Sequence, residues 1–263
     1  MPVAYHLVAR ARPGQLLFTD AEEGARLWRM VLSAAPGLEA LALMPNHLHL
    51  LHPRDVRRPL ADALGRYVRW RNHRLGARGS TLEPLPDAQP IADVGKLRRH
   101  VRYVHLNPCR ARLVRDPLAW PWSTHRDRLG LSLEPAVPRA PQPRRFHRYV
   151  SADPTVRPEG TDLPAFQDTA HRPERVRAVV ASLARVPETA LCRRGRWRSV
   201  YLAAAATLCD APASVARAAV GVGRGAVTPS LPQSTSLVAR VLHDPRFEDV
   251  EAGERWRWSP RPR

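Results

Sequence analysis

Met44-Pro45-Asn46-His47-Leu48-His49-Leu50-Leu51 sets two histidines two residues apart inside an apolar run. Side chains alternate along a strand, so His47 and His49 share one face while Leu48 and Leu50 share the other. Two imidazoles on one rigid face form a ready pair of divalent-metal ligands. The same pattern also describes a strand whose polar face carries two solvated histidines, and this stretch alone leaves both readings open.

Arg98-Arg99-His100-Val101-Arg102-Tyr103-Val104-His105-Leu106-Asn107-Pro108 follows a helical period. Proline disfavours the helical region for the residue before it, so a helix is expected to end near Asn107. Tyr103 and Asn107 stand four apart and share a helix face. A phenol and an amide oxygen one turn apart can sit over a metal held by the histidine pair. The phenol would then be the nucleophile and Asn107 a third ligand beside His47 and His49.

The chain resembles the single-tyrosine HUH transposases, in particular the REP-associated tyrosine transposases. The resemblance rests on Tyr5-His6-Leu7-Val8-Ala9-Arg10, Leu43 to Leu51, and Arg66-Tyr67-Val68-Arg69-Trp70-Arg71-Asn72. It continues through Tyr103 to Ala111 and Asp116-Pro117 to Trp120-Pro121-Trp122-Ser123-Thr124-His125, in order over roughly residues 3 to 130. It implies an α+β fold, a ferredoxin-like antiparallel sheet with helices and the histidine pair on a central strand. It also implies single-stranded hairpin DNA as partner and a 5′-phosphotyrosine intermediate. Related enzymes act as homodimers in which one subunit supplies the tyrosine and the other the metal pair; members of the REP-associated branch also act as monomers.

The formal net charge is +18. The excess is not confined to a tail, since residues 1–130 alone carry 21 basic against 11 acidic side chains. A polyanion such as nucleic acid is the simplest partner. A GC-rich coding bias explains why Lys96 is the only lysine, but not the surplus over Asp and Glu. Three cysteines, Cys109, Cys192 and Cys209, contain no C-x-x-C pair, which argues against a disulfide framework and a structural zinc site. There is no signal-peptide pattern at the start and no long apolar run, so a cytoplasmic protein is expected, nucleoid-associated when on DNA.

Along the chain, Tyr5–Ala11 is an expected strand and Ala21–Ala35 a helix. Leu38–Met44 and Leu48–His52 are two further strands of a sheet with helices on one face. Pro59–Leu75 is an expected helix with Leu60, Leu64, Tyr67 and Val68 inward. Its Arg66, Arg69, Arg71 and Arg74, with Arg98, Arg99 and Arg102 of the tyrosine helix, are candidate DNA contacts. Three prolines within residues 84–90 exclude a central strand there and predict an edge loop. Residues 1–130 are thus the expected catalytic domain, and 131–170 a Pro-rich linker. Residues 171–250 form a small all-α domain resembling a helix-turn-helix module, in which Pro229 and Pro232 would break the recognition helix. Residues 251–263 are a basic tail.

A free phenol is overwhelmingly protonated at neutral pH, so attack by Tyr103 needs help from a metal or base. Mg²⁺ or Mn²⁺ suits the mixed nitrogen and oxygen set better than zinc. A catalytically inactive DNA-binding protein of the same fold is the competing expectation, supported by the proline-rich segment and the interrupted helix-turn-helix. A metal hydrolase of small molecules would need acidic ligands and a general base that the motifs do not supply.

Overall fold

The computed structural model describes residues 2–132, 135–158, 172–209, 212–223 and 230–242. Contacts divide the chain into two compact units, parting near residue 163.

The first unit opens with strand β1 (Ala4–Arg10), helix α1 (Ala21–Ala34), strands β2 (Ala40–Leu43) and β3 (His47–His52), helix α2 (Arg57–Leu75) and strand β4 (Gln89–Ile91). The strands form one sheet in the order β2-β3-β1-β4, every pair antiparallel. This β-α-β-β-α-β order is the ferredoxin-like topology. Proline 90 sits in the three-residue edge strand β4, opposite Tyr5. The segment expected to be only a loop therefore contributes a short strand, at an edge where a missing N–H is tolerated.

Register separates the two faces of the sheet. Leu7 lies opposite Leu50 and Leu41 opposite Leu50, so these point one way with Ala9, Leu43 and Leu48. They join Leu27 and Val31 of α1 and Leu60, Leu64 and Tyr67 of α2 in the main core. On the other face Val8 and Ala42 flank His49, and Ala40 flanks Leu51. Helix α3 (Val94–Arg110) covers this face, packing Val101 and Val104 on Ala4, Ala40, Ala42, Leu51 and Ile91. The sequence expectation of helices on one face is thus corrected: α1 and α2 take one, α3 the other. Small alanines on β2 let α3 come close.

Helix α1 is fixed by a capping arrangement. The Asp20 carboxylate accepts the Glu23 N–H at 2.9 Å, while Glu23 accepts the Thr19 N–H at 2.8 Å. Its Gly24 is needed for packing, because a Cβ there would lie 2.8 Å from the Trp122 ring. Helix α3 starts at an Asp93 cap that accepts the Lys96 N–H at 2.7 Å. It does not stop at Asn107 but runs through buried Pro108 to Arg110. An interior proline costs about 3 kcal/mol. Here the missing N–H forfeits one bond, to the Val104 carbonyl, and burial of the proline ring offsets part of that cost. Beyond it Arg112 N–H donates to the Cys109 carbonyl and Leu113 N–H to that of Pro108, both at 3.0 Å, closing the helix with Arg112 in the left-handed region.

The outer edge of β2 is occupied as well. Leu43 N–H donates to the Trp122 carbonyl at 2.8 Å and Thr124 N–H to that of Leu41 at 2.9 Å. Trp120 and Trp122 are buried, and the Trp120 indole N–H donates to the Leu43 carbonyl at 2.8 Å. Helix α4 (His125–Leu129) follows. Helix α5 (Pro143–Ser151) then lies inside the stretch expected to be a linker, with Val150 and Phe146 packed on Leu106 and Cys109 of α3. Its short apolar stripe is hidden by the surrounding arginines and prolines.

The second unit contains α6 (Pro173–Ala184), α7 (Arg196–Leu208), α8 (Ala213–Ala218) and α9 (Pro232–Leu242) around Val176, Val180, Tyr201, Ala204 and Val238. Pro232 opens α9 instead of breaking a helix, since the first turn needs no donor there. Pro229, residues 133–134 and 159–170 of the expected linker and the expected tail 251–263 lie outside the described residues. No helix among the described residues is long and apolar enough to cross a membrane.

Candidate active site

Strand β3 places His47 and His49 on the sheet face that α3 covers. Their ring centroids are 4.9 Å apart, edge to face. His47 Nδ1 lies 2.8 Å from Asn46 Oδ1. An amide oxygen only accepts, so Nδ1 carries the proton and Nε2 presents its lone pair. His49 Nδ1 lies 3.0 Å from His6 Nε2 on the neighbouring strand, with the two rings stacked at 5.2 Å. Burial pushes the His47 ring down to about 4, with Arg10 adding to the shift. The His49 ring falls to about 3 by burial and then by its histidine and arginine neighbours. Both imidazoles are therefore neutral at physiological pH, the state that metal binding requires.

Helix α3 brings Tyr103 to this pair. Its ring meets that of His49 edge-on at 5.3 Å and that of His6 at 6.5 Å. The residue is 38% exposed, so the phenol is reachable from solvent and not turned into the core. One turn on, Asn107 is buried and its Nδ2 donates to the Tyr103 carbonyl at 3.1 Å, which leaves Oδ1 as the side chain's acceptor. Arg110 closes the other side, its guanidinium 5.4 Å from the Tyr103 ring centroid.

Four neighbours of this cluster were not singled out from sequence as site residues. His6 sits on β1 and His100 one turn before Tyr103, their rings 5.5 Å apart. Arg10 lies opposite His47 in the β1–β3 register, and Arg110 is two turns past Tyr103. His6 and Arg10 have the same parity as Val8, which faces His49. Pairing β1 with β3 in sequence would have put both on the histidine face.

The seven candidate arginines fall into different settings. Arg66 and Arg69 are exposed, but α2 packs on the sheet face opposite the histidines. Arg71 is buried against Glu23, Nε to Oε2 3.1 Å. Arg74 reaches Asp20 at 2.9 Å and Glu22 and Glu23 at 3.1 Å. The Arg71 contact and the Arg74 contact to Glu23 are ionic and off the angle for hydrogen bonds. These two arginines hold α2 to α1, so as candidate DNA contacts they are already engaged by carboxylates. Arg102 lies over the Tyr149 ring at 5.0 Å and 3.7 Å from Asp153. Arg98 and Arg99 are exposed on α3, and Arg99 stands one turn before Tyr103 on its face.

Among the described residues no group of three or more His, Cys, Asp or Glu is placed to hold a metal. The available donors are the two imidazoles, with Asn107 as an amide oxygen. By donor type, two imidazoles and an amide oxygen suit an open divalent site more than a closed zinc site. A phenol beside a neutral imidazole pair, with Arg110 over its ring and Arg10 opposite His47, can present a nucleophilic oxygen to a phosphate ester.

Neither a family model nor a curated protein matches this chain. Among solved structures, a REP-associated tyrosine transposase bound to a REP hairpin is similar at 20% identity and a TM-score of 0.39, over 48% of this chain and 80% of that one.

Proposed function

We propose that this chain is a transposase-like strand transferase that nicks and rejoins single-stranded hairpin DNA through Tyr103. The observation that carries the reading is the Tyr103 ring edge-on to His49 at 5.3 Å, on the sheet face that also bears His47. Tyr103 Oη attacks phosphorus in line. The bond from phosphorus to Oη forms as the bond to the 3′ oxygen breaks, leaving a 5′-phosphotyrosine and a 3′-hydroxyl. Attack by a 3′-hydroxyl on the phosphotyrosine reverses the step, so rejoining needs no nucleotide triphosphate. Arg110 over the phenol ring, and Arg99 one turn earlier on the same helix face, supply positive charge for the scissile phosphate and its neighbours. His47 and His49, with Asn107, would hold Mg²⁺ or Mn²⁺, which when bound polarises the phosphate oxygens and offsets their charge. The protein acts in the cytoplasm, on DNA, as a monomer or a homodimer.

The second reading, a DNA-binding protein that no longer cuts, is favoured by the absence of a third His, Cys, Asp or Glu ligand among the described residues. Incubation with labelled hairpin DNA and Mn²⁺ separates the two. The expected result is a covalent adduct that survives denaturation, is lost in Tyr103→Phe and persists in Tyr67→Phe. Tyr67 is buried, with its hydroxyl donating to the Leu17 carbonyl at 2.6 Å, and so cannot attack. Binding without an adduct would establish the non-cutting reader.

A further inference from the structure

A second cationic site lies beyond the end of α3. A cavity of about 340 Å³ is lined by Arg112, Arg115 and Arg157, with Cys109, Val114 and Val156 among its apolar walls. The three arginines are exposed on their solvent side. Two of them have left-handed backbones, Arg112 at φ 55° and Arg157 at φ 48°. Non-glycine residues take this region at a cost, and glycine is the usual solution at a helix end. Helices α2 and α4 do end on left-handed glycines, Gly76 and Gly130. At the cavity the chain keeps arginine at both such positions. Two carboxylates among the described residues near it already accept hydrogen bonds. Asp153 accepts from Arg110 at 2.9 Å, and Asp116 accepts the Leu118 N–H at 2.8 Å.

The cavity is also tied to Tyr103. Arg110 lies over the Tyr103 ring and reaches Asp153 and Thr155, the turn that carries Val156 and Arg157. Cys109 is six residues past Tyr103 on α3, about 9 Å along the helix axis. That is the reach of a few nucleotides of a single strand.

We propose that this cavity binds a nucleotide of single-stranded DNA close to the scissile phosphate. Arg112 and Arg157 take phosphodiester oxygens, and the base lies against Val114, Val156 and Pro158. The volume suits one nucleotide, and guanidinium groups pair with phosphate oxygens through two parallel hydrogen bonds. The proposal rests on the DNA-handling reading above but not on strand cleavage.

The test compares the wild type with the double variant Arg112→Gly, Arg157→Gly on a labelled single-stranded oligonucleotide across a salt series. Glycine suits both backbones, so Tm is expected to hold or rise. Arg185→Gly is the control, a left-handed position at the end of α6 outside the cavity. The expected result is at least a tenfold loss of affinity in the double variant. Its salt slope should be shallower by about 1.4, at about 0.7 per phosphate contact. The control should bind as the wild type does. Unchanged affinity and slope in a folded double variant would overturn the proposal, while the wild-type adduct with hairpin DNA would still stand. A free mononucleotide that binds the wild type as tightly as the oligonucleotide would also overturn it, assigning the cavity to small nucleotides. A wild type that binds no DNA at all would sink both readings, and that is seen without any variant.

Discussion

His6 Nε2 lies 3.0 Å from His49 Nδ1, so a side chain on the adjacent strand sets the direction in which His49 offers its other nitrogen. A partner of this kind fixes both the tautomer and the ring plane of a metal-binding histidine. His6→Ala is predicted to weaken Mn²⁺ binding by about tenfold or more, the usual effect of losing such a partner. His6→Gln should recover part of the loss, because its amide reaches a similar distance. Titration of Mn²⁺ without DNA, followed by electron paramagnetic resonance, reads this directly. Equal binding in all three proteins would mean that packing alone orients His49.

Glu23 is fully buried and faces Arg71 at 3.1 Å and Arg74 at 3.1 Å. Removing one cation leaves its carboxylate short of charge in a dry setting. Arg71→Ala is predicted to destabilise the fold by about 3–5 kcal/mol, the range for breaking a buried pair. Arg69→Ala, on the exposed side of the same helix, should stay within about 0.5 kcal/mol. Urea unfolding followed by circular dichroism measures both. A fully stable Arg71→Ala protein with impaired DNA binding would return Arg71 to the phosphate-contacting set.

His105, His125 and His147 form a second, buried group under α3, with His125 Nε2 3.0 Å from His147 Nδ1 and His105 Nε2 3.1 Å from the Thr124 hydroxyl. Burial, then Arg128, pushes His105 down to about 3, and burial holds His125 well below its ordinary value. Unfolded imidazoles titrate near 6.5 and accept protons that the folded ones refuse. Stability is therefore complete above about pH 6.5 and declines as pH falls toward the folded values. His105 alone should cost about 2 kcal/mol at pH 5, at 1.36 kcal/mol per pH interval. Urea midpoints at pH 7.5 and pH 5 test the slope, and His105→Gln should flatten it. A wild-type midpoint that does not move would contradict neutral burial.

Much of this site is legible in residue spacing. Period two put His47 and His49 together, and period 3.6 put Tyr103 over Asn107. Both are local rules that survive folding. His6 and Arg10 escaped because their role depends on β1 lying beside β3, a non-local pairing that no short window shows. Arg71 and Arg74 look like Arg66 and Arg69 in sequence. Only the packing of α2 against Asp20 and Glu23 distinguishes them. The end of α3 was misplaced because tertiary burial of Pro108 carries the helix past it, and no local rule weighs burial. Helix α5 was missed because its apolar residues, Phe146 and Val150, are few and sit among prolines and arginines.

Both rims of the sheet are closed to strand addition. Pro90 offers no N–H on one side, and residues 122–124 already bond to β2 on the other. Among the described residues, this sheet offers a second copy no uninterrupted edge, which disfavours joining two sheets into one continuous ladder.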